Sequence, residues 1–466
     1  MRVAWFSPIP PIRSGVAEYC EGLLPHFGGL IDIDLFVDDP ELHSGTPLAA
    51  RFPILDYREF TARHRSAPYD LNLYHMGNDL VHRFVYLTLV DNPGLVVLHE
   101  PMLHHFMLQM LTAGWTPSDY SRELDYNYGV RRENIEAIVG TDGSELSRFR
   151  YPMIQRVVDS SLGIIVHSEF ARGEVLKLGP RGPVRKVNMP YAGLRDDEGP
   201  SKEKARRLLD LDSDAFLIGT FGFVTPAKRI ESILDALAEF LSEAPDARLA
   251  VVGATVPEYP VGELIGSKGL SGVVLMPGYV SSDDLLSYMA ACDLAVSLRW
   301  PSAGETPASL VQLLGMGCPT VVSDYKAFAE FPDDICMKVD PAREREDLLR
   351  HFRRAYSDRA MLAGLGEQAR VYIAENHRVE DTVGEYADFA HSLLTGGFQV
   401  DLQVPDGEGG EDAIRGDLVD EVCEKLAAIG VGSGFIGLLE DVSSALDSIF
   451  GDGGDLDAPP MSRHRF

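Results

Sequence analysis

Leu217-Ile218-Gly219-Thr220-Phe221-Gly222-Phe223-Val224-Thr225-Pro226-Ala227-Lys228-Arg229-Ile230, continuing to Phe240, reads as strand, loop and helix in immediate succession. Leu217–Phe221 is an apolar run of strand length, and from Ile230 to Phe240 the apolar residues return at helical spacing. Parallel strands need a crossover between them, and a helix is the usual one, so this unit predicts a parallel sheet covered on both faces. Lys228 and Arg229 stand where the helix begins. Cations there oppose the helix dipole and call for a compensating anion. A Lys acting as a point charge beside an Arg fork suits a diphosphate; the bland alternative is a solvated helix start.

The same unit recurs in both directions. Toward the C-terminus, Leu249–Val252, Val273–Met276, Leu294–Val296 and Thr320–Val322 read as strands, with helices at about Ser282–Ala291 and Ser309–Met316. Toward the N-terminus, Val3–Phe6, Ile31–Val37, Leu71–Tyr74, Leu95–Leu98 and Gly163–Val166 read as strands. Helices are expected at about Val16–Leu24, after Pro101, and at Glu169–Leu178, and Ser201 has the character of an N-cap for Lys202–Leu209. Gly193, Asp196, Asp197, Glu198, Gly199 and Pro200 cluster at a boundary. The fold class is therefore α/β, with two Rossmann-like doubly wound domains, 1–195 and 196–396. An acidic, partly helical extension occupies 397–466, with helical spacing at Leu418–Ala428 and Phe435–Phe450.

Composition sets outer limits. The chain has 466 residues and a formal net charge of −29, and from residue 401 onward 15 acidic and 4 basic residues contribute −11 of it. So acidic a chain is a poor general binder of nucleic acid. The five cysteines stand far apart with no CxxC pair, which fits a reducing compartment. The start of the chain meets Pro8, Pro10 and Pro11 too soon for a signal-peptide core, and no apolar run reaches membrane-span length. A cytoplasmic protein is expected. The basic segments Arg131-Arg132 and Arg148-Phe149-Arg150 leave room for peripheral contact with the inner face of a membrane. Nothing in the sequence marks an oligomeric state.

Functional residues should sit at the carboxyl ends of the strands, where open α/β sheets bind ligands. The first loop runs from Ser7 through Gly15 to Tyr19; it is not GxGxxG, which disfavours a dinucleotide, but Gly15 permits close backbone approach at a helix N-terminus. Three histidines follow apolar strands, in Tyr74-His75-Met76-Gly77-Asn78, Leu98-His99-Glu100-Pro101 and His167-Ser168-Glu169. One such His is usually a hydrogen-bonded structural residue, whereas three in one domain suggest a shared cleft. No HxH or HExxH spacing supports a metal. His104-His105 lies within an expected helix and reads as structural. In the second domain, Arg299-Trp300-Pro301-Ser302-Ala303-Gly304-Glu305-Thr306-Pro307-Ala308-Ser309 leads from a strand into a helix. Glu305 can accept sugar hydroxyls, while Thr306 and the N–H groups around Ala308–Leu310, Ser309 included, can hold phosphate oxygens.

In this order, Ser14-Gly15-Val16-Ala17-Glu18-Tyr19, His99, His167-Ser168-Glu169-Phe170, Phe221-Gly222-Phe223 through Lys228-Arg229, Gly278-Tyr279-Val280, and Gly304-Glu305-Thr306 through Gly317-Cys318-Pro319 resemble the retaining glycosyltransferases of family 4. The resemblance covers about residues 1–395 and implies the GT-B fold: two domains facing across a cleft, the last helix at about 380–395 able to pack back on the first. It implies a nucleoside diphosphate sugar as co-substrate, bound mainly by the second domain, with no metal cofactor. A hexosyl unit would pass with retention to a glycan or lipid-linked acceptor, in cell-envelope polysaccharide or glycoconjugate synthesis. By the same resemblance Lys228 and Arg229 neutralise the leaving diphosphate, Gly15 and Gly222 admit the donor, Glu305 faces the donor-sugar hydroxyls, and His99 lies near the transferred sugar. His99, Lys228 and Glu305 are thus the catalytic candidates, with Asn78, His99 and His167 on the acceptor side.

The departures are specific. Gln312 stands where the family's second Glu is expected, and Phe223 replaces an expected Arg, for which Arg299 can substitute. Two other readings stay open: a GT-B sugar-nucleotide epimerase, and a degenerate glycosyltransferase serving as a binding subunit.

Overall fold

The computed structural model describes residues 1–129, 147–191, 200–257 and 259–396, all within one compact body. The extension 397–466, Arg131-Arg132 and the boundary residues 193–199 lie outside the described residues.

Seven parallel strands form the first sheet: β1 (Arg2–Phe6), β2 (Asp32–Val37), β3 (Ile54–Asp56), β4 (Leu71–Met76), β5 (Gly94–Leu98), β6 (Ser161–Val166) and β7 (Val184–Lys186). Their order is β3-β2-β1-β4-β5-β6-β7. Six form the second: β8 (Phe216–Phe221), β9 (Ala247–Val252), β10 (Val274–Gly278), β11 (Leu294–Ser297), β12 (Thr320–Ser323) and β13 (Met337–Val339), in the order β10-β9-β8-β11-β12-β13. Every pairing is parallel; Val3, for example, sits between Ile33 and Leu71. The order reverses between β1 and β4 and again between β8 and β11. Those two switch points place the loops after β1, β4, β8 and β11 where ligands bind in such sheets. The edge strands β3, β7 and β13 have three residues each and no sequence periodicity announced them.

Alternation along the strands fills both faces of each sheet. In β1, Val3 and Trp5 enter one core and Ala4 and Phe6 the other. In the second sheet, Ile218 and Val251 pack with the helix Ile230–Phe240, which buries Ile230, Ile233, Leu234, Ala236, Leu237 and Phe240. The last of the described helices, Val379–Thr395, belongs to the first sheet's core. Val383, Tyr386, Phe389 and Ala390 are buried there, and the Tyr19 and Tyr386 hydroxyls lie 2.6 Å apart. The chain thus passes between the sheets twice, and the two passages are joined. Tyr191 N–H donates to the His377 carbonyl at 2.7 Å, and the Asn188 amide donates to the Asn376 carbonyl at 2.9 Å. Among the described residues no helix is long and apolar enough to cross a membrane.

Candidate active site

Gly222 directly follows β8; its φ of +93° suits glycine, and a Cβ added there would lie 3.1 Å from Lys228 Nζ. The glycine therefore leaves room for Lys228 to fold back, and its Nζ donates to the Phe221 carbonyl. The lysine is buried. Burial first, then the nearby Arg299 cation, push its pKa down to about 7, while Glu305 acts the other way. Such a cation gains most from an incoming anion. Arg229 is placed differently: its Nε contacts both Glu344 oxygens, at 3.0 and 2.8 Å, and its guanidinium lies 5.2 Å from the Trp300 ring centroid. Ser232 Oγ also donates to Glu344, at 2.6 Å. Arg229 carries its own counter-charge and ties the loop to the rest of the domain.

The loop after β11 holds the carboxylate. Ser302 Oγ donates to Glu305 Oε2 at 2.8 Å, and Arg299 Nε stands 3.0 Å from Glu305 Oε1. Arg299 is itself anchored by its backbone N–H donating to Ser323 Oγ at 2.9 Å. Lys228, Arg299 and Glu305 thus form one electrostatic group at the β8/β11 switch point. The helix Ala308–Gly315 begins directly after Pro307, with Ala308 exposed and Ser309 partly exposed in its first turn, where backbone N–H groups lack helical partners. One turn on, Gln312 Nε2 is buried without a hydrogen-bond partner. A buried unpaired donor is costly, and a ligand oxygen would satisfy it. Thr306 is buried, its hydroxyl donating to the His167 carbonyl at 3.3 Å.

On the first domain the three strand-end histidines converge. His75 Nδ1 lies 2.9 Å from His99 Nε2, the His99 and His167 rings are 5.1 Å apart, and Tyr19 sets its edge against His99 at 4.9 Å. Burial drives all three pKa values down, that of His167 to about 4, so the cluster is neutral. His167 Nδ1 bonds the Val187 carbonyl at 2.9 Å, while Nε2 of His75 and of His167 is buried without a partner. His104 Nε2 lies 2.8 Å from the Tyr120 hydroxyl. The Asn78 side chain accepts from Phe106 N–H at 2.8 Å, and its backbone N–H donates to Glu100 at 3.0 Å. Gly15 opens its helix beneath unfilled space, with no atom within 4 Å of an added Cβ.

Glu100 is the site residue that sequence reasoning passed over. Burial and then Glu305 push its carboxyl up to about 8, against the Asn78 N–H and Arg299. Glu305 lies more than two hundred residues away, so only the adjacency to His99 at a strand end could have flagged it.

The two domains meet at this point. A Cβ on Gly304, whose φ is +87°, would lie 2.5 Å from the Phe170 ring and 3.0 Å from Pro101. The Glu330 carboxylate accepts from the N–H groups of Glu169 and Phe170, at 2.8 and 2.6 Å, so the second domain caps a helix of the first. Arg13 stacks on Tyr279 at 4.6 Å. The Glu305 loop and the His99-Glu100 loop therefore face each other across the cleft.

Residues 201–372 match the glycosyl transferases group 1 family. The fold resembles that of sucrose-phosphate synthase from Thermosynechococcus elongatus, with a TM-score of 0.59 and 16% identity over 85% of this chain and all of that one. It also resembles HepE from Anabaena in complex with UDP-glucose, with a TM-score of 0.62 and 14% identity over 84% of this chain and all of that one. The fold is GT-B, and the family match falls within its second domain. In sequence, D-inositol 3-phosphate glycosyltransferase from Nocardioides sp. (strain ATCC BAA-499 / JS614) is 25% identical over 258 residues, which is 50% of this chain and 55% of that relative.

Proposed function

We propose that the protein moves a hexosyl unit from a nucleoside diphosphate sugar to an acceptor hydroxyl, with retention at the anomeric carbon. The observation that carries this reading is the Lys228, Arg299 and Glu305 group at the β8/β11 switch point, set opposite the neutral His99 cluster. Breaking the sugar–phosphate bond builds negative charge on the diphosphate and positive charge on the sugar. Lys228 and Arg299 stand ready for the first, and preorganised charge of this kind is usually the largest catalytic contribution. Glu305, fixed by Ser302 and Arg299, accepts from sugar hydroxyls. In a front-face transfer the acceptor oxygen bonds the anomeric carbon as the phosphate oxygen departs, and that phosphate oxygen takes the acceptor proton. No protein nucleophile is consumed.

Arg299, and Lys228 once donor binding has protonated it, also support a reaction without a divalent metal, and turnover that survives EDTA is the expected result. The acceptor class we propose is a glycan or lipid-linked glycan of the cell envelope, met in the cytoplasm. Screening the protein against nucleoside diphosphate sugars for nucleotide release tests the proposal. Release of no nucleotide from any donor, with or without acceptor, refutes it. The Glu100 and Glu305 carboxyls sharing one cleft favour a second reading, a sugar-nucleotide epimerase working by acid–base chemistry. Incubation with donor alone separates the two, since an epimerase needs no acceptor.

A further inference from the structure

We infer that Glu330 is a positioning residue for Glu305, holding a helix of the first domain against the loop that carries this carboxylate. This rests on the transferase reading above and adds to it the means by which contact between the domains readies the donor-sugar side of the cleft. Glu330 ends the short 3₁₀ helix Lys326–Glu330, which follows β12. Each of its carboxylate oxygens accepts one N–H: Oε2 that of Glu169 at 2.8 Å, and Oε1 that of Phe170 at 2.6 Å. These are the first two N–H groups of the helix Glu169–Leu176, and a helix supplies no partners of its own there. Ser168 Oγ, from the first domain itself, takes the next one, from Ala171 at 3.1 Å. A carboxylate in this place is favoured by its charge as well as by its geometry. Glu330 is exposed, so water can replace it and the grip is reversible.

The contacts continue without a break to Glu305. Glu330 fixes the Phe170 backbone, and the Phe170 ring lies flush against Gly304, where an added Cβ would be 2.5 Å from the ring and 3.0 Å from Pro101. Lys326, on the same short helix, lies 5.4 Å from the centroid of that ring and donates to the Ser302 carbonyl at 2.8 Å. Ser302 is fully buried, and its hydroxyl accepts from Gly304 N–H at 2.9 Å and donates to Glu305 Oε2 at 2.8 Å. One residue further on, the Thr306 hydroxyl donates to the His167 carbonyl at 3.3 Å. The carboxylate thus sits on a loop walled on one side by its own domain and on the other by the first. Gly304 has wide backbone freedom and no side chain to anchor it, so its place depends on those walls. If the helix start withdraws, Phe170 leaves Gly304 and the Glu305 loop loses its outer wall. A reacting geometry displaced by about 1 Å can cost about 10²-fold in rate. The diphosphate cations are anchored apart from this chain of contacts, Lys228 on the Phe221 carbonyl and the Arg299 backbone on Ser323.

The test uses the full-length protein. Nucleotide release from UDP-glucose, UDP-galactose, UDP-N-acetylglucosamine and GDP-mannose identifies the productive donor. Calorimetry then compares the affinity for that donor with the affinity for its nucleoside diphosphate, which lacks the sugar that Glu305 faces. Glu330→Ala should slow nucleotide release by about tenfold or more. It should also weaken the donor by about fivefold or more relative to the nucleoside diphosphate, whose own affinity stays within about twofold. In a Glu305→Gln background, adding Glu330→Ala should change the donor-to-diphosphate ratio by less than about twofold, because the group being positioned is already gone. This ratio needs no turnover, so it remains readable however slow Glu305→Gln becomes. Thermal unfolding establishes that each variant is folded. If Glu330→Ala does not fold, Glu330→Gln, which keeps the size and one acceptor oxygen, takes its place with a shift in the ratio of about threefold expected. Equal weakening of donor and diphosphate, the same shift with and without the Glu305 carboxylate, or no change in a folded variant overturns the role of Glu330 and leaves the transferase reading standing. Release of nucleotide from none of the donors overturns that reading, and the inference with it.

Discussion

Donor binding should consume a proton at Lys228, and the affinity should therefore fall steeply as pH rises. In the open cleft burial and Arg299 hold this lysine's pKa down to about 7. A diphosphate beside the ammonium returns it toward the ordinary lysine value of about 10.4. The free protein then binds fewer protons than the complex at every pH between the two values. By linkage the dissociation constant grows in proportion to one plus ten raised to the difference between pH and 7. From pH 7 to pH 9 that is about 50-fold, or about 2.3 kcal/mol. Near pH 8 the complex should take up about 0.9 proton on forming. Isothermal titration calorimetry with an intact nucleotide sugar, whose diphosphate keeps constant charge in this range, measures both quantities when run in two buffers of different ionisation enthalpy. Glu100 titrates in the same window, at about 8, and its ionisation also disfavours the donor. The experiment is therefore repeated in Glu100→Gln, where the Lys228 contribution stands alone. Arg299 stays charged throughout, and the histidines stay neutral. In the Glu100→Gln background, a dissociation constant that changes less than about threefold between pH 7 and 9, or a slope that persists when Lys228→Met is added, excludes Lys228 as the titrating group.

Other predictions concern the same framework. Lys228→Ala should lower kcat/KM by about 10²-fold or more, one charge-assisted contact being worth roughly 3 kcal/mol in the transition state; a folded variant with an unchanged rate removes the role. Gly304→Ala places a Cβ 2.5 Å from Phe170 at a φ of +87°, and should cost about 1–3 kcal/mol, read as a lower Tm and slower turnover. Arg229→Ala leaves buried Glu344 without its counter-charge and with only the Ser232 hydroxyl; since Arg229 is half-buried, a loss of about 2–3 kcal/mol is expected, with a smaller effect on donor affinity than Lys228→Ala. His82 and His167 have folded pKa values of about 4, below the unfolded value. The unfolded chain thus binds more protons below about pH 6.5, and stability should fall between pH 7 and pH 5 by roughly 2 kcal/mol for each of the two. Chemical denaturation at the two pH values measures it.

What the sequence revealed follows from the range of its signals. Strands such as Leu249–Val252 and helices such as Ile230–Phe240 declare themselves through apolar spacing within a dozen residues, and both appear in the fold. The three-residue strands β3, β7 and β13 do not, because three residues cannot display an alternation. The convergence of His75, His99 and His167 was legible, since all three follow strands of one parallel sheet. The commitment of Arg229 to Glu344 was not, because that carboxylate is 115 positions away and its local sequence is an ordinary helix start. Glu100 escaped for the same reason: its properties come from Glu305, and a residue's own neighbours in sequence say nothing of a charge delivered from another domain.

The helix Val379–Thr395 has a consequence for how the protein is made. Trp5, Tyr19 and His75 leave the ribosome long before Tyr386, the aromatic residue that packs against all three. The first sheet is ready nearly two hundred residues before its covering helix exists, an interval of roughly 10–40 s at ordinary rates of synthesis. Throughout that time the part of this face that Val16, Tyr19, Leu23 and Phe27 do not cover stands bare. The newborn chain is thus a client for whatever shields exposed hydrophobic surface in the cell, and the helix Val379–Thr395 acts as the closing stitch of a domain whose first strand is Arg2–Phe6.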